Sequence, residues 1–350
     1  MEMLSALNEE IPLWGTAEAV KKEAHVARFL EREYQAAREK GWGLEELGVS
    51  TKSGPMWEET SELISSHYDE KIDFFRSFLD ERFQAYSMAF YGDTAVEAKN
   101  SPVTLSEAQR RKFDLICERA EIKGDENVLN IGCGFGSLEK YLLERFPNLR
   151  ITGLTPSQVQ ADYLREQIAD SASPLGQGNF CVVQKDFSAE SIRELQPGSF
   201  DLVISIGLLE QLKNMEAFNE RISSLLRKGG RSFHHFIVSK MAIPQFLDAR
   251  KTLIGNYFPG GRIWPYDAFS SRPGPLEFQK SWFVNGMNYW RTLDEWHKRF
   301  SSRVGELSRH LPMERIRHWN DYFILCKACF LPAEGEWFGN GHYLFRKSSS

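Results

Sequence analysis

The chain has 350 residues, enough for one large or two ordinary domains, and 42% of them are apolar and 26% charged, as in an ordinary globular protein. Its 43 basic and 48 acidic side chains leave a net charge of −5, which argues against a general nucleic-acid binder. No stretch approaches the roughly 18 apolar residues of a membrane span, and we expect no secretory leader. Five scattered cysteines suit a reducing compartment, so we expect a cytoplasmic protein.

The first 100 residues predict a helical N-terminal cap. Apolar residues recur at helical spacing in two segments, 17–40 and 57–83, which are separated by glycines. A third helix is predicted at 104–120, with Thr104 positioned to cap its N-terminus.

Strands and helices alternate in the part of the chain that follows, 101–240. Short apolar runs predict strands at 128–131, 150–154, 180–184, 202–206 and 232–238. A helix is predicted at 215–226, before the last of these strands. Such alternation indicates right-handed crossovers and a parallel sheet with helices on both faces. The fold class is therefore α/β with a Rossmann-like core.

Residues 241–312 interrupt the alternation with proline, glycine and many aromatic residues. We interpret this segment as an insertion that covers a substrate as a lid, and an ordinary aromatic core is the alternative. A helix at 314–330 and a strand at 341–346 then complete the core. Cys326 and Cys329 lie on that helix without a second cysteine or histidine pair, so we expect two small core residues and no metal site.

The strongest local signal is the sequence NVLNIGCGFGS at 127–137. An apolar strand ends at Ile131, Gly132, Gly134 and Gly136 follow, and a helical pattern begins at once. Glycines let the backbone approach a ligand closely, and the helix offers free N–H groups at its N-terminus. The segment therefore predicts a loop that binds a nucleotide-type cofactor.

Residues at the ends of the next two strands favour one class of cofactor. A dinucleotide-binding fold has G-x-G-x-x-G and an acidic residue about 20 positions later, whereas this chain has Gly-x-Gly-x-Gly and Thr155 with no carboxylate beside it. Asp186 and Phe187 follow the third strand, where an acid can bind an adenine amino group and a ring can flank adenine. These features fit S-adenosylmethionine better than a nicotinamide dinucleotide. A helix N-cap is the other interpretation of Asp186.

Several segments resemble the core of cyclopropane-fatty-acid synthases and their relatives, which are S-adenosylmethionine-dependent methyltransferases: TLSEAQRRKFDLICERAEI, NVLNIGCGFGSLEKYLLERFPNLRITGLTPSQ, QKDF and FDLVISIGLLEQLKN. YFPGGRIWP, YWRTLDEWHKRF and EWFGNGHYLFRK are most similar to the coclaurine-type N-methyltransferase branch. The resemblance implies a class I, seven-stranded methyltransferase sheet with a helical N-terminal cap (1–100), a cofactor-binding core (101–240), an aromatic-rich helical insertion (241–312) and a C-terminal helix and strand (313–350).

The resemblance also implies the cofactor-binding residues. The YSxxY-type segment of the family corresponds to Tyr86 and Ser87, and Met88 stands where the cyclopropane enzymes usually have cysteine. The set implied to bind S-adenosylmethionine is Tyr86, Ser87, Gly132, Cys133, Gly134, Gly136, Thr155, Gln160, Asp186 and Phe187.

Three further residues are implied to be catalytic. Glu210 matches the glutamate of the FEH segment of the family, whose histidine is replaced by Gln211, which cannot take a proton at neutral pH. His235 and Tyr289 match a histidine and a tyrosine of the cyclopropane active site. The structural alternatives are a solvated glutamate, a core histidine and a packing tyrosine. Together the three residues can hold a bicarbonate-like anion as an additional cofactor, or serve directly as acid, base and orienting group.

The main functional hypothesis is N-methylation of a small amine that has an apolar body. The alternative is C-methylation, cyclopropanation or cyclisation of an alkene in a lipid or an isoprenoid such as a prenyl diphosphate. A cofactor-binding or scaffold protein without activity is the third class. The expected partner is a small-molecule substrate, with no nucleic acid and no membrane span, and a homodimer is left open.

Overall fold

The computed structural model describes residues 11–40, 54–57, 72–240, 261–270 and 274–348. Within these residues a single mixed sheet contains β1 Asn127–Ile131, β2 Arg150–Thr155, β3 Phe180–Gln184, β4 Phe200–Ile206, β5 Leu226–Ser239, β6 Trp264–Pro265, β7 Leu276–Asn285 and β8 Phe338–Lys347. Seven strands form a path in the order β3-β2-β1-β4-β5-β8-β7, and β6 pairs with β5 outside this path. β1 to β5 are parallel, whereas β8 is antiparallel to both β5 and β7.

The helices of the described residues are α1 Ala17–Glu39, α2 Ile72–Arg76, α3 Ala95–Asn100, α4 Leu105–Arg119, α5 Ser137–Arg145, α6 Gln158–Ala169, α7 Met215–Leu225, α8 Met287–Ser302, α9 Val304–Leu307 and α10 Met313–Cys329. The N-terminal helix α1 packs on the C-terminal helix α10, which also packs on α8. None of the helices in the described ranges combines the length and the apolar composition that crossing a bilayer requires.

Side chains of the central strands separate into two buried clusters. Val128 and Leu202 belong to one cluster, together with residues of α4 and α5. Their strand neighbours Leu129 and Val203 belong to the other cluster, together with residues of α7. Because successive residues of a strand point to opposite faces, both faces of the sheet are buried under helices. This explains why the central strands are continuous apolar runs in the sequence.

The α/β core predicted from the sequence is confirmed. β3 has the predicted limits, and the ends of β1, β2 and β4 lie within two residues of the predicted ones. The Thr104 hydroxyl caps α4 by accepting from the backbone N–H of Glu107 at 3.2 Å, as expected. β5 begins earlier than predicted, at Leu226, because the strand includes Gly229 and Gly230 beside a register shift in its pairing with β4.

The aromatic insertion contributes strands that the sequence did not reveal. β7 is an edge strand of the sheet, and β6 adds a two-residue pairing with β5. The exposed residues of β7 include Glu277, Gln279 and Lys280, and its pairing with β8 shifts register between Phe278 and Lys280. An edge strand with an exposed face and a bulge lacks the apolar run on which strand prediction depends.

The helical segment predicted at 57–83 is helical among the described residues only at Ile72–Arg76. Trp57 pairs with Leu212 in an isolated β-bridge, and residues 58–71 lie outside the described residues. α2 ends at Arg76. Beyond it, the Asp80 carboxylate accepts from the backbone N–H groups of Phe83 at 2.7 Å and Ala85 at 3.0 Å. Such local side-chain bonds replace helical ones and turn the chain toward the sheet.

The segment after this turn, 84–91, is clamped between helices. The amide of Gln109 on α4 donates to the carbonyl oxygens of Ala85 and Ser87 at 3.2 and 3.0 Å. From α8, the side chains of Thr292 and Asn288 accept from the N–H groups of Ala89 and Tyr91 at 2.9 and 2.7 Å. These long-range bonds fix Tyr86 and Ser87 next to the glycine turn.

Candidate active site

The glycine turn predicted from the sequence connects β1 to α5. Gly132, Gly134 and Gly136 have φ values of +80°, +56° and +77°, in the left-handed region that strains residues with a Cβ atom. A Cβ atom at Gly136 would also lie 2.7 Å from Leu164 of α6. At Gly134 a Cβ atom would meet no atom within 4 Å. The backbone at Gly134 therefore faces open space.

That open space is a cavity at the carboxyl ends of the parallel strands. It encloses about 1290 Å³ of empty volume, including its open mouth. The ends of β1, β2 and β4 and the residues directly after β3 form its wall. In the order β3-β2-β1-β4, the chain reverses its direction of progress beside β1, and open α/β sheets bind ligands at such a position.

The cavity brings most of the predicted cofactor-binding residues together. Those that line it are Tyr86, Ser87, Gly132, Cys133, Gly134, Thr155, Gln160, Asp186 and Phe187. Gly136 is the N-cap residue of α5 and does not line the cavity. Its missing Cβ atom leaves room for Leu164 and so lets α5 pack on α6. The binding role of the whole set stays a prediction.

Side-chain hydrogen bonds organise the end of β2. The Thr155 hydroxyl donates to Oε1 of Gln160 at 2.6 Å and accepts from the N–H of Ser157 at 3.2 Å. The Ser157 hydroxyl in turn accepts from the N–H of Gln160 at 3.3 Å and caps α6. The Thr155 bond occupies one lone pair of Oε1 of Gln160, and the amide N–H groups of Gln160 are donors that a ligand can use.

Asp186, after β3, lines the cavity and closes a local turn, because its carboxylate accepts from the N–H of Ser188 at 2.6 Å. No helix begins at this turn, so the helix N-cap interpretation is wrong, and the cofactor-binding role of Asp186 stays a prediction. Nε1 of Trp57 donates to the same oxygen at 3.1 Å, and Trp57 lines the cavity as well. Sequence reasoning missed Trp57, because only its pairing with Leu212 brings the N-terminal segment to this site.

Glu210 lies behind the cavity wall, in a short 3-10 turn after β4, and its side chain is 5% exposed. Oε1 accepts from the N–H of Ile237 at 2.9 Å, and Oε2 has no hydrogen-bond partner among the described residues. Burial raises the pKa of Glu210 to about 7, although the Ile237 bond lowers it. The alternative of a solvated glutamate is therefore wrong. Leu208 and Gln211, on either side, line the cavity.

His235 lies on β5 and is buried outside the cavity lining. Its Nδ1 is 2.6 Å from Nε2 of His342, and its Nε2 is 3.0 Å from Nδ2 of Asn340. Burial holds the pKa of His235 well below its usual value, so the ring is neutral. Both ring nitrogens are satisfied, which is the geometry of the core-histidine alternative. Its catalytic role stays a prediction.

Tyr289 lies in the first turn of α8, where its ring stacks on Phe330 with centroids 4.7 Å apart. Its edge contact with Trp296 has a centroid distance of 6.3 Å. The cavity lining of the described residues contains none of Glu210, His235 and Tyr289. The structure thus gathers the predicted cofactor-binding residues but does not gather the predicted catalytic ones around the same space.

The glycine turn and the cavity lie in a segment of the chain that matches a known family model. The family model of mycolic acid cyclopropane synthetases matches residues 57–336, which hold all of the strands except β8. The chain belongs to the mycolic acid cyclopropane synthetase family. The predicted resemblance to cyclopropane enzymes is thereby confirmed.

Curated relatives of this family member include plant enzymes. A probable (S)-tetrahydroprotoberberine N-methyltransferase 2 of Papaver bracteatum is 31% identical over 221 residues, which are 59% of this chain and 56% of that protein. The chain thus spans just over half the length of that relative. An (S)-coclaurine N-methyltransferase of Thalictrum flavum subsp. glaucum is 26% identical over 308 residues, covering 83% of this chain and 80% of that protein.

A solved structure shares the fold over nearly the whole chain. Coclaurine N-methyltransferase, bound to N-methylheliamine and SAH (S-adenosylhomocysteine), superposes with a TM-score of 0.83 at 24% identity and with 99% of each chain covered. The class I methyltransferase fold predicted for this family member is confirmed.

Two buried ionisable residues of this family member stand behind the cavity wall. Nζ of Lys112, on α4, donates to the Ser87 hydroxyl at 2.8 Å, and Lys112 is fully buried. Glu139, on α5, accepts from Nδ2 of Asn130 at 2.6 Å and is also fully buried. Sequence reasoning missed both, because the run QRRK and the pattern SLEKY look like solvated helix faces. Only the packing of α4 and α5 turns these side chains inward.

Proposed function

We propose that this protein is an S-adenosylmethionine-dependent methyltransferase that methylates the nitrogen of a small amine with an apolar body. The observation that carries the proposal is the cavity at the carboxyl ends of β1 to β4, where the glycine turn, Gln160 and Asp186–Phe187 meet. Plant N-methyltransferases among the relatives support an amine as the acceptor.

The residues that line the cavity fit S-adenosylmethionine. Gly134 leaves room for ligand atoms against its backbone. Asp186 offers a carboxylate to the adenine amino group, and Phe187 offers a ring to its face. Thr155 and Gln160 supply neutral polar groups of the kind that ribose hydroxyls bind. The bound cofactor would supply an electrophilic methyl group.

Glu210 is the residue proposed to take a proton from the acceptor, from its place behind the cavity wall beside Leu208 and Gln211, which line the cavity. An amine attacks through its lone pair, so an ammonium must first lose a proton. Oε2 of Glu210 is buried and without a partner among the described residues, and its carboxyl has a pKa of about 7, close to neutral pH as a general base requires. Gln211 lines the cavity and cannot take the proton, so we assign it an orienting role.

C-methylation of an alkene in a lipid or an isoprenoid chain is the second candidate, and the family name favours it. A bicarbonate-like anion would then be an additional cofactor near His235. The neutral, hydrogen-bonded ring of His235 gives such an anion little charge to bind, which is why we place this candidate second.

A panel of acceptors with labelled methyl donor tests the two candidates against each other. We expect label to enter secondary and tertiary amines that carry an apolar body, at a rate that does not change when bicarbonate is removed. Label that enters only acyl or prenyl alkenes, at a rate that falls when bicarbonate is removed, would reverse the order of the candidates.

Replacement of Glu210 should separate chemistry from cofactor binding. We expect Glu210→Gln to lower kcat about 10²-fold to 10³-fold, because the proton acceptor is lost. The dissociation constant of S-adenosylmethionine should not change. The pKa of Glu210 is raised to about 7, so the carboxylate form grows as the pH rises and the wild-type kcat/KM should climb between pH 6 and 8. This acidic limb should be missing from the variant.

The companion variant His235→Ala is expected to lower turnover as well, with S-adenosylmethionine still bound. Rates equal to wild type in both variants, each shown to be folded by circular dichroism, would remove these residues from the active site. A normal rate in His235→Ala alone would leave His235 as a core histidine.

We also propose that the protein is cytoplasmic. Cys117, Cys133, Cys181, Cys326 and Cys329 are all free, which supports a reducing compartment. The homodimer stays a prediction, which light scattering would check.

A further inference from the structure

Lys112 is a buried lysine with an unusual partner. Within the described residues it forms no ion pair, and Nζ donates to the hydroxyl of Ser87 at 2.8 Å. It also lies 4.2 Å from the ring centroid of Phe113. Burial lowers the pKa of Lys112 to about 7. The charge of Asp80 raises this pKa in part, but Asp80 forms no ion pair with Lys112, so a further negative group nearby would lower the cost of burying the lysine.

Lys112 reaches the cavity only through its hydrogen bond to Ser87, which lines the cavity. An ammonium group can only donate hydrogen bonds. When Lys112 donates to the Ser87 oxygen, the Ser87 hydroxyl keeps its own proton for another acceptor. Ser87 lines the cavity, so the pair presents a hydrogen-bond donor with a positive charge behind it. That arrangement suits a carboxylate.

Glu139 and Asn130 form the opposite arrangement. Nδ2 of Asn130 donates to Oε1 of Glu139 at 2.6 Å, and both residues are buried. Oδ1 of Asn130 and Oε2 of Glu139 are buried with no hydrogen-bond partner among the described residues. Burial raises the pKa of Glu139 to about 7, although the Asn130 bond lowers it. Asn130 lines the cavity. A carboxylate that holds the amide nitrogen leaves the amide oxygen for a donor, and an ammonium supplies one.

The Lys112–Ser87 pair and the Glu139–Asn130 pair lie at the same end of the cavity. Asn130 is on β1, and the Gln84 carbonyl accepts from the Ser137 hydroxyl at 3.1 Å, which holds the segment before Ser87 over the N-terminus of α5. Asp186 follows β3, which is separated from β1 by β2. Neighbouring strands are about 4.8 Å apart, so the end of the cavity at Asn130 and the end at Asp186 are separated by roughly 10 Å. An elongated ligand requires such a separation.

We propose that Lys112 and Glu139 are positioning residues that make the cavity selective for the zwitterionic amino-acid end of the cofactor. Lys112 sets Ser87 to receive the carboxylate, and Glu139 sets Asn130 to receive the ammonium. The inference rests on the proposed function, since it requires S-adenosylmethionine in this cavity.

Calorimetry with three ligands separates recognition of the carboxylate, which we call the carboxylate arm, from recognition of the ammonium. SAH carries both charged groups, decarboxylated SAH keeps only the ammonium, and 5′-methylthioadenosine has neither. We expect Lys112→Met to weaken SAH binding by about tenfold to a hundredfold, the range for hydrogen bonds to charged groups. The other two probes should keep their affinities. Glu139→Gln should weaken SAH and decarboxylated SAH by about tenfold and leave 5′-methylthioadenosine unchanged.

Ser87→Ala tests the carboxylate arm from its other end. Like Lys112→Met, it should weaken binding of SAH and leave the affinities of decarboxylated SAH and 5′-methylthioadenosine unchanged. The double variant should lose no more affinity for SAH than the more affected single variant, since both substitutions act on one contact. Lys112→Met is expected to fold, because a buried charge is replaced by an apolar side chain of similar length. If it does not fold, Ser87→Ala alone decides this arm.

Lys327→Met is the matched control. Lys327 is also buried, but it is ion-paired with Glu23 at 2.7 Å and Asp294 at 3.1 Å, and it does not line the cavity. Its loss should lower stability without changing the preference among the three probes. Lys112→Met and Glu139→Gln variants that weaken all three probes equally, or none, would overturn the inference alone. A wild-type protein that does not bind SAH would overturn the proposed function together with it.

Discussion

Gly134→Val is expected to abolish binding of SAH, with affinity lowered by more than about a hundredfold. The φ value of Gly134 is +56°, which a β-branched residue adopts only with strain. An added Cβ atom would meet no protein atom within 4 Å, and Gly134 lines the cavity, so the valine side chain would stand in the ligand space. Titration calorimetry with purified variant protein measures the effect.

Gly198→Val separates this steric effect from backbone strain. Gly198 has a φ of +67°, also has no atom within 4 Å of an added Cβ, and lies exposed in a turn away from the cavity. Both variants should lose about 1 to 2 kcal/mol of stability through the left-handed backbone. Only Gly134→Val should lose the ligand. A wild-type dissociation constant in Gly134→Val would refute the ligand-binding role of the turn.

Glu126→Gln is expected to lower the free energy of unfolding by about 3 kcal/mol, because it removes the nearer and more buried of the two carboxylates that pair with a buried guanidinium, the other being Glu121 at 3.7 Å. Oε1 of Glu126 and Nη2 of Arg231 are 2.8 Å apart, and the side chains are 4% and 8% exposed. The same carboxylate accepts from the N–H groups of Lys123 and Gly124, each at 2.8 Å. The pair therefore ties the loop before β1 to β5, and urea denaturation at neutral pH would measure its loss.

The effect of Glu126 should depend on pH. Burial by itself would raise the pKa of Glu126, but the backbone N–H groups and Arg231 outweigh burial and hold this pKa below its usual value. A lowered pKa in the folded protein stabilises the fold above the unfolded-state pKa, and this stabilisation is lost as the pH falls through the folded-state pKa. The difference between wild type and Glu126→Gln should therefore shrink on acidification.

Glu144→Gln provides the comparison for an exposed pair. Glu144 and Arg82 are 3.0 Å apart with side chains 38% and 59% exposed, so this variant should lose less than about 1 kcal/mol. A loss in Glu126→Gln no larger than that in Glu144→Gln would show that the buried pair does not hold the loop.

Local features of the sequence were enough to locate the core and the cofactor side of the cavity. The central strands are buried on both faces, so each is a short apolar run that can be recognised alone. The turn after β1 needs glycines because of its own φ values, and these glycines are visible in the sequence. Thr155 was found because it ends such a strand, and Asp186 because it lies two positions beyond the end of one.

Features that depend on distant contacts could not be found this way. β7 is recognisable only through its pairing with β8, because its exposed face and its bulge remove the apolar pattern. Trp57 reaches the cavity through pairing with Leu212, and His235 is satisfied by His342, 107 positions along the chain. The resemblance identified Glu210, His235 and Tyr289 by their match to motifs of the family, but a motif does not tell which way each side chain points.

The sequence by itself therefore determined the fold class, the glycine turn and the family, because strand periodicity and turn chemistry are properties of neighbouring residues. Only the tertiary structure decided which polar residues are buried and what they touch. Lys112 follows two other basic residues in the run QRRK, yet the packing of α4 buries it completely against Ser87. Its low-polarity surroundings, and with them its lowered pKa, arise from elements that meet only in the folded chain.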